Sequence, residues 1–168
     1  AGRHHGGNHM KKCCFTGHRH FPWEESKDDS KLRTIMASLE HAIDEAIRKG
    51  AAHFICGNAV GVDTWAAQLV LKKKELNPGI VLEIALPFEG HNDHIPLCRA
   101  IQKKADIVHV VSRRPDKKAA FSERNKYMVD SSDMLIGVYN PSHRRGGTAR
   151  TIEYARQQGL EVIEIVAE

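Results

Sequence analysis

The alternation of two hydrophobic patterns along the chain constrains its fold more than any other feature. Short apolar, β-branched runs predict strands at residues 12–16, 53–56, 80–86, 107–111, 134–139 and 162–166. Segments of helical period separate these runs and predict helices at residues 30–49, 62–75, 94–104, 121–131 and 148–158. Strands that alternate with helices in this way build a parallel sheet. We therefore predict one α/β domain, an open and mostly parallel sheet with helices on both faces, arranged as a three-layer sandwich.

The ends of the predicted helices carry residues that are typical of such positions. Ser30 is predicted as the N-cap of the first helix, Gly50 follows that helix and Gly159 follows the last one. The apolar residues of the first helix share one stripe, which predicts a surface that faces the core. They are Leu32, Ile35, Met36, Leu39, Ile43 and Ile47.

The net charge gives no reason to expect a nucleic-acid partner. The chain has 168 residues and a formal net charge of +4. Residues 1–9 are rich in glycine and histidine, and we expect them to be the remnant of a purification tag ahead of a native start at Met10. Without Arg3 of that remnant the charge of +4 falls to +3. The lysines at 72–74 and 117–118 are separated and lack interleaved aromatic residues, so we interpret them as solvated surface.

The sequence also bounds the environment of the protein. No apolar run approaches the roughly 20 residues that a membrane span needs, so we expect a cytoplasmic protein with no membrane partner. Cys13 and Cys14 are adjacent in a predicted strand and must point to opposite faces, while Cys56 and Cys98 lie far apart. We interpret all four as reduced structural residues. Residues 91–94 hold two histidines and a carboxylate without a strong zinc spacing, and we predict neither a metal site nor a cofactor.

Unusual residues gather immediately after the predicted strands. The carboxyl ends of parallel strands meet at one edge of an open sheet, and ligands bind there. Glycines allow a phosphate to approach the backbone, and helix N-termini offer free N–H groups, so a phosphate-bearing ligand is predicted. A tight turn is an equally good explanation of any single glycine loop. The candidate ligand-binding residues are Thr16, Gly17, Arg19, Gly57, Gly61, Asp63, Arg144, Gly146, Gly147 and Thr148.

Standard nucleotide fingerprints are missing from these loops. The sequence has no G-x-G-x-x-G that opens the first helix and no G-x-x-x-x-G-K-[ST], which argues against classical dehydrogenases and P-loop ATPases. Asp63 accepts hydrogen bonds either from nearby loop amides or from a ribose hydroxyl. Arg124 either forks onto a phosphate or carboxylate, or forms a surface salt bridge with Asp130 or Glu123. Glu153, in the last helix, faces either the preceding glycine loop or solvent.

A set of motifs in a fixed order runs through nearly the whole chain, from residue 12 to residue 166. The motifs are Thr16-Gly17-His18-Arg19, Gly57-x-Ala59-x-Gly61-Val62-Asp63, Pro87-Phe88, Arg124-Asn125-x-Tyr127-Met128-Val129-Asp130, and Gly146-Gly147-Thr148 followed by Thr151-Ile152. Together they resemble the YpsA-like branch of the SLOG superfamily, which also includes the DNA-processing protein DprA (Smf) and the LOG phosphoribohydrolases. The resemblance implies a Rossmann-like sheet whose glycine loops hold a nucleotide or a nucleotide-derived ligand.

Two catalytic candidates follow from the LOG enzymes by resemblance. Their motif Glu-Arg-Lys-x-x-Met is similar to residues 123–128 and implies a role for Arg124, and their P-G-G-x-G-T-x-x-E is similar to residues 145–153 and implies one for Glu153. In those enzymes the arginine and the glutamate serve cleavage of an N-glycosidic bond in a nucleoside monophosphate. Here Ala149-Arg150 replaces the second Gly-Thr and Arg145 replaces the proline. The DprA-like glycine loop also differs, because Val60 stands where that family usually has arginine.

Three functional hypotheses therefore stand. The favoured one is a nucleotide-binding sensor or regulatory domain, which needs only glycine loops, helix N-termini, basic residues and Asp63. The alternative is a phosphoribohydrolase, in which Glu153 would assist departure of the base while Arg124 holds the 5′-phosphate. Single-stranded DNA binding in the manner of DprA ranks third, because the charge is low. A homo-oligomer is compatible with all three.

Overall fold

The protein is an α/β sandwich with helices on both sides of one sheet. The structure, a computed structural model, describes residues 10–143 and 146–168. Its strands are β1 (Lys11–Gly17), β2 (Ala51–Cys56), β3 (Val81–Leu86), β4 (Ile107–Val110), β5 (Met134–Tyr139) and β6 (Glu161–Val166). Its α-helices are α1 (Ser30–Arg48), α2 (Val62–Leu76), α3 (Pro96–Lys104), α4 (Lys117–Asp130) and α5 (Gly147–Gln157), and a short 3-10 helix spans Pro22–Glu25.

The six described strands form one sheet in the order β4-β3-β2-β1-β5-β6, and every neighbouring pair is parallel. Helices α1, α2 and α3 pack on one face, and α4 and α5 pack on the other. The predicted Rossmann-like, three-layer fold is confirmed. Within the described residues, no helix is long and apolar enough to cross a membrane.

The register of the sheet explains the adjacent cysteines. Cys13 pairs with Met134 and packs in the core beneath α1 and α2, whereas Cys14 pairs with Leu135 and packs beneath α4 and α5. The prediction that the two side chains point to opposite faces is therefore confirmed. All four cysteines are buried, and no disulfide joins them within the described chain. Burial raises the pKa of the Cys13 and Cys56 thiols well above the ordinary value, which keeps both thiols protonated and unreactive. This agrees with the interpretation of these cysteines as structural residues.

One predicted N-cap and one predicted helix start are wrong. Ser30 is the first residue of α1 rather than its N-cap, and its backbone N–H donates to Oδ1 of Asp28 at 2.9 Å. Helix α4 begins at Lys117, four residues before the predicted start. The side chain of Asp116 accepts a hydrogen bond from the backbone N–H of Lys118, so this aspartate is the N-cap that the sequence analysis overlooked.

The order of the strands determines where a ligand can bind. From β1 the chain builds the sheet outward through β2 and β3 to β4, and it then returns to place β5 and β6 on the other side of β1. The connections that leave β1 and β5 therefore run in opposite directions. Such a reversal opens a crevice at the carboxyl ends of β1 and β5, and ligands of open α/β sheets usually bind in such a crevice.

Candidate functional site

A cavity of about 460 Å³ opens at the carboxyl ends of β1 and β5, and we call it the switch-point cavity. Loops that are far apart in the sequence meet there, as predicted for one edge of the sheet. The sequence candidates that line it are Thr16, Gly17, Arg19, Asp63, Arg124, Gly147 and Thr148. Further lining residues were not selected from the sequence, and they include His18, Phe121 and Asn125.

Arg124 forms part of the floor of the cavity and is 4% exposed. Its Nη1 donates to the backbone carbonyl oxygens of Gly57 and of Ala85, the latter at 3.2 Å, and its Nε donates to Oδ1 of Asn125 at 2.9 Å. The alternative of a surface salt bridge with Asp130 or Glu123 is therefore wrong. The arginine instead satisfies carbonyl groups at the ends of β2 and β3, which fixes one guanidinium in a buried position beside the cavity.

The aromatic ring of Phe121 joins two cations in this site. The guanidinium carbon of Arg19 lies 5.1 Å from the ring centroid, and that of Arg124 lies 5.6 Å from it. The rings of Phe88 and His91 meet Phe121 edge-on. Cation–π contacts of this length are attractive and hold the guanidinium groups close to each other despite their like charge. Two guanidinium groups therefore line the cavity beside one aromatic ring.

Asp63 is the one carboxylate among the described residues that line the cavity. Its Oδ2 accepts a hydrogen bond from the backbone N–H of Ala59 at 3.1 Å, so the predicted contact with a loop amide is confirmed. Burial raises the pKa of Asp63 because it disfavours the charged form, and the positive charge of Arg124 partly opposes that shift. The carboxylate therefore offsets only part of the positive charge of the two arginines.

The five candidate glycines fall into two groups. A Cβ on Gly17 would lie 2.4 Å from Cβ of Val62, and a Cβ on Gly61 would lie 2.5 Å from the carbonyl oxygen of Arg19. Gly61 also has a φ of 81°, which side chains rarely adopt. A Cβ on Gly57 would lie 2.7 Å from Oδ2 of Asp63. Close packing between the strand ends and α2 therefore accounts for this first group without a ligand.

The second group of glycines faces open space at the start of α5. A Cβ on Gly146 or Gly147 would meet no atom of the described residues within 4 Å. Gly146 is the N-cap of α5, and it supplies no side chain to bond the free N–H groups of the first turn. Packing against the described residues does not explain these glycines, and the positive end of the α5 dipole lies at the cavity that Gly147 and Thr148 line.

His18 is a cavity residue that the sequence analysis quoted within a motif and did not select. Its Nε2 accepts a hydrogen bond from the backbone N–H of Asn140 at 3.0 Å, which ties the loop after β5 to the end of β1. Burial, with a smaller effect of His143, lowers the pKa of His18 and favours the neutral ring that this bond requires. The position of His18 directly after Gly17, at the end of a predicted strand, was the sequence feature that could have identified it as a site residue.

Among the described candidates, Gly57, Gly61, Gly146 and Glu153 do not line the cavity. Glu153 is exposed on α5, receives a hydrogen bond from Nε2 of Gln157 at 3.5 Å, and does not line the cavity. Arg144 lies outside the described residues, as does Arg145. The described residues contain no group of three histidine, cysteine or acidic side chains able to hold a metal ion.

The fold and the site define a class, namely Rossmann-like α/β proteins with a glycine-lined, cationic cavity at the switch point of a parallel sheet. Comparison with known families is more specific: the chain matches the YspA SLOG family over residues 13–166 and belongs to that family. It is 27% identical to a UPF0398 protein of Bacillus pumilus over 141 residues, covering 80% of this chain and 76% of the relative. It is 28% identical to a UPF0398 protein of Halalkalibacterium halodurans over 156 residues, covering 89% and 82%.

Proposed function

We propose that the protein is a nucleotide-binding sensor or regulatory domain that holds the phosphate of its ligand in the switch-point cavity. One observation carries the proposal. Arg19, which is exposed and forms no ion pair within the described residues, and the first turn of α5 line the same cavity, where Asp63 is the one described carboxylate. Paired sources of positive charge of this kind suit a phosphate.

The two arginines of the site contribute differently. The guanidinium of Arg124 is committed to carbonyl oxygens of the sheet edge and lies near the carboxylate of Asp63. Arg19 has no such commitments in the described structure, apart from its contact with Phe121. We therefore assign the main phosphate contact to Arg19 and the start of α5. Asp63 supplies an acceptor for a sugar hydroxyl in the same cavity.

The geometry favours binding over hydrolysis. Cleavage of a glycosidic bond usually needs an acid and a base that flank the reacting carbon. Asp63 lies in the cavity, but Glu153 is exposed and outside its lining, so the described site offers one carboxylate. We expect nucleoside monophosphates to bind without release of their bases.

Calorimetric titration with four nucleoside monophosphates and with the matching nucleosides tests this function. At least one monophosphate should bind at least tenfold more tightly than its nucleoside. Arg19→Ala should remove most of that difference, whereas Arg33→Ala, on the exposed surface of α1, should leave it unchanged. Equal binding of nucleosides and nucleotides, or no binding at all, would contradict the proposal. Chromatography after prolonged incubation should recover intact nucleotides, and free base would favour the hydrolase.

A further inference from the structure

A second cavity of about 390 Å³ lies between α4 and α5, and we call it the interhelical crevice. Phe121 and Asn125 of α4 form one side, and Arg150 and Tyr154 of α5 form the other. Phe121, Asn125 and Gly147 line both this crevice and the switch-point cavity. The two spaces therefore adjoin, and one small molecule can extend from one into the other across Gly147.

The walls of the crevice suit a flat aromatic group. The rings of Phe121 and Tyr154 both line it. Tyr154 is held in place because its hydroxyl donates to Oδ1 of Asp130 at 2.6 Å and Nζ of Lys126 lies 5.5 Å from its ring centroid. Lys126 in turn pairs with Oδ2 of Asp130 at 2.7 Å. A fixed aromatic side chain offers a surface on which a nucleobase can stack. A phosphate group makes no such contact.

Asn125 presents a donor to the crevice. Its Oδ1 accepts the hydrogen bond from Nε of Arg124 at 2.9 Å, and this bond determines which end of the amide points toward the buried guanidinium. The NH₂ group is therefore the end that remains for a ligand. Asn125 is partly buried, so an acceptor that pairs with this NH₂ would be shielded from water.

Two further polar groups of the crevice are cationic donors, and the hydroxyl of Ser122 also lines it. Lys118 and Arg150 stand exposed at its rim, and neither has an acidic partner in the described part of the chain. The hydroxyl of Thr151 donates to the carbonyl oxygen of Gly147 at 2.8 Å, so its oxygen is the one group of this side chain that can still pair, as an acceptor. An amide NH₂ with two cationic side chains favours a base whose edge presents acceptors.

We propose that the interhelical crevice binds the base of the nucleotide and selects a 6-oxopurine, such as hypoxanthine or guanine, over adenine. The proposal rests on the nucleotide-binding function proposed above and adds the identity of the base. A 6-oxopurine presents two acceptors, O6 and N7, on one edge, whereas adenine replaces the first with an amino donor. Adenine therefore offers the donors of the crevice one acceptor, N7, and places an amino donor where a 6-oxopurine places O6.

Inosine monophosphate and adenosine monophosphate are the matched probes, because they share the sugar and phosphate and differ at the 6-position. Calorimetric titration should show at least tenfold tighter binding of inosine monophosphate. Asn125→Asp keeps an oxygen for Nε of Arg124 and replaces the NH₂ donor with a second acceptor. The ratio of the two affinities should fall to about one or invert in this variant, and thermal melting should show that the fold is retained.

Further probes separate this inference from the function on which it rests. Arg150→Ala should weaken both purine nucleotides but leave ribose 5-phosphate unchanged, and Arg33→Ala should change nothing. If both nucleotides bind with equal affinity and Asn125→Asp leaves their ratio unchanged, the base subsite is wrong while phosphate binding stands. If neither nucleotide nor ribose 5-phosphate binds, the proposed function fails and the base subsite fails with it.

Discussion

Nη1 of Arg124 donates a hydrogen bond to the carbonyl oxygen of Gly57, 67 residues away along the chain. The same nitrogen bonds the carbonyl oxygen of Ala85, so one side chain from α4 joins the ends of β2 and β3. These bonds lie directly beneath the switch-point cavity. The residue that resemblance identifies with catalysis therefore also holds together the edge of the sheet on which the site is built.

Replacement of this arginine should cost stability as well as binding. Arg124→Ala removes donors from buried carbonyl groups and leaves Asp63 without its neighbouring positive charge, so we expect the free energy of unfolding to fall by about 2–4 kcal/mol. Urea denaturation measures the loss. Arg33→Ala is the matched control, because that arginine pairs with Asp29 on the exposed surface and should change stability by less than about 0.5 kcal/mol. Equal stability of the two variants would show that Arg124 is dispensable for the fold.

An added side chain should lower stability in the first group of glycines but not in the second. A Cβ on Gly147 would meet no described atom within 4 Å, so Gly147→Val should change stability by less than about 1 kcal/mol while nucleotide affinity falls at least tenfold. Gly57→Ala forces a Cβ to within 2.9 Å of Nη1 of Arg124 and should lower both stability and affinity. Melting curves and titrations on the same samples test both. Loss of folding in the Gly147 variant would mean that this glycine is needed for structure.

The sequence was sufficient for the architecture because the architecture depends on repeating patterns. Apolar β-branched runs located the six described strands, and only their ends moved by one or two residues. The convergence of the glycine loops on one edge followed from the parallel arrangement alone. The larger error, at the start of α4, arose because a single Asp116 side chain determines that end, and a local hydrogen bond has no periodicity.

The contacts within the site could not be predicted in the same way. Phe121 lies between residues 19 and 124 only because α4 folds back over the carboxyl ends of the strands. The position of Arg124 beneath carbonyls of two other strands depends equally on long-range packing. The sequence suggested charged partners for this arginine from its own helix, because nearest neighbours are all that a linear pattern reveals.

His91 should make stability depend on pH in the mildly acidic range. Burial, together with the charges of Arg124 and Arg19, lowers the pKa of His91 from 6.5 to about 4. Its Nδ1 is buried without a hydrogen-bond partner in the described residues, as expected for a neutral ring. The imidazole of His91 is therefore protonated below pH 6.5 in the unfolded chain but only below about pH 4 in the folded protein. Stability contributed by the neutral ring, up to about 3 kcal/mol, is lost as the pH falls through this window.

Denaturant unfolding between pH 7 and pH 4 measures this effect. His91→Gln removes the titrating group, so its unfolding free energy should depend less steeply on pH than that of the parent protein, whatever its absolute stability. His41→Gln, at an exposed position on α1, provides the control and should keep the parent slope. Parallel pH profiles for all three proteins would show that His91 does not carry the dependence.

A second acid-sensitive element lies away from the cavity, around the buried carboxylate of Glu83. Its Oε1 lies 2.7 Å from Nε2 of His53, and its Oε2 accepts a hydrogen bond from the hydroxyl of Tyr127 at 2.5 Å. Burial by itself would raise the pKa of Glu83, but these two partners, together with the charges of His53 and His109, hold it below its ordinary value of 4.5. The carboxylate therefore contributes stability that is fully present above pH 4.5 and is lost as the pH falls through the lowered pKa.

Glu83→Gln should reveal this contribution at two values of pH. At pH 7 the amide keeps the shape of the side chain but forms weaker bonds with His53 and Tyr127, so we expect a loss of about 1–3 kcal/mol in the free energy of unfolding. Below pH 4.5 the difference from the parent should shrink, because the parent carboxylate becomes protonated and loses the same interactions. Glu40→Gln, which removes a surface pair with Lys72, should match the parent within about 0.5 kcal/mol at both values. A difference between Glu83→Gln and the parent that stays constant from pH 7 to pH 3 would show that packing around residue 83, and not its charge, supplies the stability.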